Sequence, residues 1–82
     1  MTNLERYHKI LKVNLGADEA DFDDAVMVYN NYKKWDSVRH MDMIVDLEEA
    51  FDVAFEVLDI TSFSTYSKGI AILEKLGVDM QA

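Results

Sequence analysis

Three stretches of this chain return an apolar residue every three or four positions, and no proline interrupts any of them. That spacing describes one face of an α-helix rather than the alternation of a strand. Leu4, Tyr7, Leu11 and Leu15, with Ile10 beside them, predict a first helix over Asn3 to Leu15. Asn3 is expected to cap its start and Gly16 to stop it, because glycine enters the left-handed closing turn without steric cost. Val38, Met41, Ile44, Val45, Leu47 and Phe51 predict the apolar face of a second helix from Ser37 to Phe51. Val53-Ala54-Phe55 reads as an extended turn entering the core, and Val57 to Ile60 as a short third helix. Ser64 or Thr65 is expected to cap a last helix carrying Tyr66, Ile70, Leu73 and Leu76, with Gly77 ending it. The fold class is therefore all-α. An antiparallel four-helix bundle with a long first loop and a short third helix is the simplest packing.

The first connection, Ala17 to Asp36, is unusually long for a compact domain, and such loops tend to carry function. One short helical turn is expected within it. Asp21-x-Asp23 is faintly like a calcium loop, but the glycine and the closing glutamate of that pattern are missing, so no metal site is expected.

With 82 residues the chain is expected to form a single domain, residues 1–82, that buries roughly 60% of its unfolded surface. It has no cysteine, so disulfides and thiolate metal sites are excluded, and any thiol chemistry has to arrive on an added group. Sixteen acids against eight bases give a net charge of −8, which argues against nucleic acid and against an anionic membrane surface. Half of those acids, with Arg39 as the one base, fall between Asp36 and Asp59. Such a balance suits protein partners with basic patches, drawn in by long-range attraction. Neither a signal peptide nor a membrane span is evident, so a cytoplasmic monomer without membrane insertion is expected.

Trp35-Asp36-Ser37-Val38 sits immediately before the acidic second helix. A serine at a helix start lies where free N–H groups and the helix dipole favour an attached anion. Asp36-Ser37 followed by an aliphatic residue, then a helix ending in Leu47-Glu48-Glu49-Ala50-Phe51, resembles the acyl carrier protein family. The resemblance covers nearly the whole chain. Leu15-Gly16 looks like the end of that family's first helix, and the acidic loop is similar to its first loop. Met41, Val45, Leu47, Glu48, Glu49 and Phe51, then Phe55, Ile60, Phe63, Thr65, Ile70 and Leu73, follow its pattern in constant register. There are departures. The family commonly has glycine shortly before Asp-Ser and leucine after it, where this chain has Lys33-Lys34-Trp35 and Val38. Trp35 there is more like the divergent, stand-alone carriers. Peptidyl carriers usually show histidine at the position of Asp36, which favours an acyl over an aminoacyl cargo.

The resemblance implies that Ser37 carries 4'-phosphopantetheine from coenzyme A and that Asp36 is read by a phosphopantetheinyl transferase. It implies no catalysis by the chain itself. The arm would carry acyl groups as thioesters to an acyl-loading ligase or transferase and to condensing or other acyl-processing enzymes of fatty acid, polyketide or related biosynthesis. Val38, Met41, Asp42, Glu48 and Glu49 are the expected partner-binding residues. Met41, Val45, Ile60, Phe63 and Ile70 are candidates for an acyl pocket, although their default role is core.

Other readings stand beside this one. Asp36 and Ser37 are both favoured helix caps, a role that holds with or without an arm. A peptidyl carrier, or a non-catalytic acidic helical interaction module, would fit the composition. Ser37 and His40 share a helix face and invite a serine–histidine hydrolase, but no nucleophile elbow surrounds Ser37 and no oxyanion hole has a source. His40 is expected to be exposed or partner-facing, and His8 to lie on the surface.

Overall fold

The computed structural model describes residues 1–32 and 35–82; the Lys33-Lys34 departure noted above lies outside the described residues. Four α-helices form among the described residues: α1 (Asn3–Leu15), α2 (Ser37–Phe51), α3 (Val57–Ser62) and α4 (Tyr66–Lys75). The all-α class, the long first connection and the short third helix are as expected from the sequence. The one helical turn expected in the loop is a 3₁₀ turn at Glu19–Asp21.

The start of α1 corrects the expectation that Asn3 caps it. Thr2 is the cap: its hydroxyl accepts from the Glu5 amide at 3.1 Å, and the Glu5 carboxylate accepts from the Thr2 amide at 2.8 Å. The pair satisfies two of the helix's orphan donors at once. At the other end Gly16 takes φ 64°, the left-handed turn the sequence called for. Asp52 closes α2 in the same conformation, at φ 53°, without being a glycine. Short polar side chains such as Asp tolerate that region better than most residues.

α1 packs chiefly on α2. Tyr7, Leu11 and Leu15 from α1 meet Met43, Ile44 and Leu47 from α2, with Trp35, Phe55, Phe63 and Leu73 completing the core. Each fully buried side chain of this kind contributes about 1.5–3 kcal/mol of transfer free energy. Phe55 is buried, so the turn after α2 does enter the core. Tyr7 reaches across the interior and donates its hydroxyl to the Tyr66 carbonyl at 2.7 Å, which aligns the starts of α1 and α4. Burial pushes the Tyr7 phenol well above its ordinary pKa. Gly69 lies beneath that contact on α4 and is buried; Ile72 and Leu73 complete the inner face, while Ile70 and Leu76 are only half-buried.

The long loop is tied down at several points. Lys12 pairs with Glu19 at 2.5 Å, Phe22 stacks on the His8 ring at 4.2 Å, and Asp24 accepts from the amide and hydroxyl of Ser67. Val28 bridges to Thr65, and the Tyr29 amide donates to the Ser64 carbonyl at 2.9 Å. His8 is therefore half-buried against Phe22 and Tyr66, a correction to its expected surface position. Desolvation holds its pKa below the ordinary histidine value.

α2 departs most from its expected packing. The face that turns inward is His40, Met43, Ile44 and Leu47. Val38, Met41 and Val45, assigned to the apolar face by their spacing, are 69%, 46% and 47% exposed. The helix carries two apolar stripes, and the core takes the one that includes a histidine whose polar atoms are satisfied internally.

Candidate functional site

Asp36 and Ser37 occupy the two positions that open α2. The Asp36 backbone is extended, and its carboxylate accepts from the Arg39 amide at 2.9 Å. Arg39 returns a loose ion pair at 4.0 Å. Asp36 is thus the cap and Ser37 the first helical residue. Ser37 is exposed, its side chain makes no hydrogen bond, and the amides of Ser37 and Val38 have no backbone partner among the described residues. An exposed hydroxyl beside two N–H groups without a backbone partner among the described residues, at the positive end of a fifteen-residue helix, is well placed to carry an anionic substituent.

Beneath Ser37 a buried hydrogen-bond relay joins three segments. Trp35 Nε1–H donates to His40 Nδ1 at 2.9 Å, and His40 Nε2 lies 2.8 Å from the Ile60 carbonyl oxygen. An indole N–H can only donate and a carbonyl can only accept, so the imidazole is the neutral tautomer with its proton on Nε2. His40 is 6% exposed, which corrects the expectation of an exposed or partner-facing histidine. It is buried because both ring nitrogens find partners inside the fold. The same geometry removes it as a base for Ser37, since the lone pair of Nδ1 is engaged by Trp35.

Ser37 stands at the rim of a cleft of about 360 Å³ lined by Tyr29, His40, Met41, Ile60, Thr61 and Phe63. Of the acyl-pocket candidates, Met41, Ile60 and Phe63 come together here. Val45 projects to solvent two turns along α2, and Ile70 belongs to the α4 side of the core, so neither lines it. Sequence reasoning missed Tyr29 and Thr61. Tyr29 reaches the cleft from the long loop, held there by the bridge to the start of α4 and by ring contacts with Trp35 and His40. On the other side of Ser37 a polar groove runs between α1 and α2, lined by Val13, Asn14, Asp36, Val38, Arg39 and Asp42.

The partner-binding candidates divide. Val38, Met41, Asp42 and Glu49 are exposed along α2. Glu48 is half-buried and its carboxylate accepts from the Phe55 amide at 2.8 Å, so it is committed to the turn after α2. Val57 and Leu58, both over three-quarters exposed, add an unexpected apolar surface on α3. Asp59 on the same helix is buried, and Lys75 pairs with it; that pair and the Glu56 amide hold its carboxyl below the usual carboxylate range.

Among the described residues no three histidine or acidic side chains converge as a metal-binding group, Asp21 and Asp23 included, and no helix is long and apolar enough to cross a membrane. Tyr32 donates to Asp21, and burial, with that carboxylate second, pushes the Tyr32 phenol up to about 12. Comparison of the chain with protein-family models, with curated proteins and with solved structures returns no match.

Proposed function

We propose that this chain is an acyl carrier protein, carrying acyl groups as thioesters on 4'-phosphopantetheine attached to Ser37. The observation that supports the reading most directly is the placement of Ser37: exposed, first in α2, capped by Asp36 and at the rim of an apolar cleft. The constant register of the acyl-carrier pattern from Ser37 to Leu73 supports it independently. In the attachment step Ser37 Oγ bonds to the pantetheine-side phosphorus of coenzyme A. The pyrophosphate bridge breaks and the nucleotide bisphosphate leaves. The hydroxyl proton passes to a base, which together with Mg²⁺ belongs to a separate transferase, because a serine hydroxyl is a poor nucleophile unaided. First-turn amides at the positive end of α2 favour the resulting phosphodiester. Asp36 opposes it by charge; the resemblance to acyl carriers gives Asp36 the role of recognition by the transferase.

Partner enzymes of fatty acid, polyketide or related biosynthesis would meet Val38 and Met41 as an apolar strip, with Asp42 and Glu49 offering charge to their basic patches. Exposed charge pairs of this type contribute about 0.2–1 kcal/mol each and weaken with salt, which suits a carrier that binds and releases in turn.

The test is incubation with phosphopantetheinyl transferases, coenzyme A and Mg²⁺, read by intact mass. Wild type is expected to gain one phosphopantetheine and Ser37→Ala none, with unchanged circular dichroism. Failure of several such transferases to modify wild type, or modification of Ser37→Ala, refutes the proposal.

A further inference from the structure

The cleft beside Ser37 is walled by aromatic rings held in place by hydrogen bonds. The His40 ring lies 4.9 Å from Tyr29 and 5.8 Å from Phe63, and Trp35 stacks behind it at 6.0 Å. Phe63 and Trp35 meet edge to face at 5.9 Å and are almost fully buried. The relay from Trp35 through His40 to Ile60 ties α2 to α3 across the base of the cleft. For a long saturated chain to pass inward, those two buried bonds would have to open, leaving an N–H and a carbonyl without partners. The cleft is therefore available only to the depth it already has. A cavity of about 150 Å³ holds one benzene, so about 360 Å³ admits a compact group of up to two rings.

The lining favours a flat occupant. Rings gain from offset or edge contacts with other rings, and the Met41 thioether adds a favourable sulfur contact. Tyr29 and Thr61 bring hydroxyls to the same cleft. Among the described residues the Tyr29 phenol has no hydrogen-bond partner, whereas Thr61 donates back to the Val57 and Leu58 carbonyls. We propose that the cleft is a specificity pocket for a compact, aryl-bearing acyl group tethered at Ser37, and that the His40 relay excludes long saturated chains. This rests on the carrier reading for its cargo, but the selectivity of the cleft is a property of the protein alone.

The chain has no cysteine, so Ser37→Cys creates a single attachment point that needs no transferase. Thiol-reactive reagents bearing a benzyl group, or straight alkyl chains from butyl to dodecyl, place each group at the rim. The benzyl adduct is expected to raise Tm by about 4 °C or more and to shift the emission of Trp35, the one tryptophan. Alkyl adducts are expected to give a smaller gain that stops growing beyond the shorter chains. In Tyr29→Leu the benzyl advantage is expected to disappear while the butyl adduct keeps its effect. A Tm that climbs steadily to dodecyl, or a benzyl adduct no better than butyl, overturns the proposal. If S37C is ring-selective but transferases never modify wild type, the carrier reading fails and the pocket stands. If wild type is modified but S37C shows no ring preference, the pocket fails and the carrier reading stands.

Discussion

Replacing Gly69 by alanine tests the packing of the core at its tightest point. A Cβ built on Gly69 lies under 3.0 Å from the Tyr7 hydroxyl and from two Phe63 ring atoms. Neither neighbour yields easily. The Tyr7 hydroxyl is held by the Tyr66 carbonyl, and Phe63 is wedged against Trp35 and His40. Overpacking of a close-packed core costs about 1–3 kcal/mol. Displacing the Tyr7 hydroxyl from the Tyr66 carbonyl costs a further ~1–3 kcal/mol. Alanine gains about 1 kcal/mol in helix propensity over glycine. The net expectation is a loss of about 3 kcal/mol, a large share of the roughly 4–12 kcal/mol available to a domain of this length. Urea titration followed by far-UV circular dichroism would show the midpoint falling, and Tm should drop by more than about 10 °C. Tyr7→Phe removes the nearest obstructing atom, so the double variant should be less destabilised than the sum of the two single ones by about 1 kcal/mol. A Gly69→Ala protein as stable as wild type, or gaining the propensity term, would refute the packing argument.

Three other perturbations have defined outcomes. His40→Leu leaves Trp35 Nε1–H and the Ile60 carbonyl without partners and should cost about 1–3 kcal/mol for each group that water cannot reach; an unchanged urea midpoint would deny the relay. Lys75 and the Glu56 amide hold the Asp59 carboxyl below its ordinary 3.8, and Ser67 does the same for Asp24. Both folded pKa values lie below the unfolded ones, so the stability they add is complete above the unfolded value and drains away as pH falls through the folded ones. Tm should therefore fall on acidification below about pH 4, less steeply in Asp59→Asn, and an identical slope in the variant would contradict this. The exposed acids along α2 repel one another, so added salt or millimolar Mg²⁺ should raise Tm; no change would show that repulsion there is negligible.

The three longer helices were legible in the sequence because each carries a three-or-four repeat. Gly16 ends α1 as expected, and α3 begins at Val57, although it runs on to Ser62. What stayed hidden depended on partners distant in the chain. His40 looked like a surface residue because a lone histidine gives no sign of the Trp35 indole and Ile60 carbonyl that satisfy it. Val38, Met41 and Val45 were placed on the apolar face because spacing alone does not choose between two apolar stripes on one helix. Thr2 was readable in principle, since Thr2-x-x-Glu5 is the reciprocal cap signature. At the candidate site Ser37 and Asp36 were legible as a helix start. Tyr29 was not, because it enters from a loop whose position is set by tertiary bonds.

The bridge between Val28 and Thr65 has a dynamic consequence. The Tyr29 amide, in the middle of a long connection, donates to a carbonyl at the threshold of the last helix. Its deuterium uptake should therefore be slow for a loop position and should follow the opening of that helix's first turn. Fraying there would release one side of the Ser37 recess together with the end of the chain that pins it.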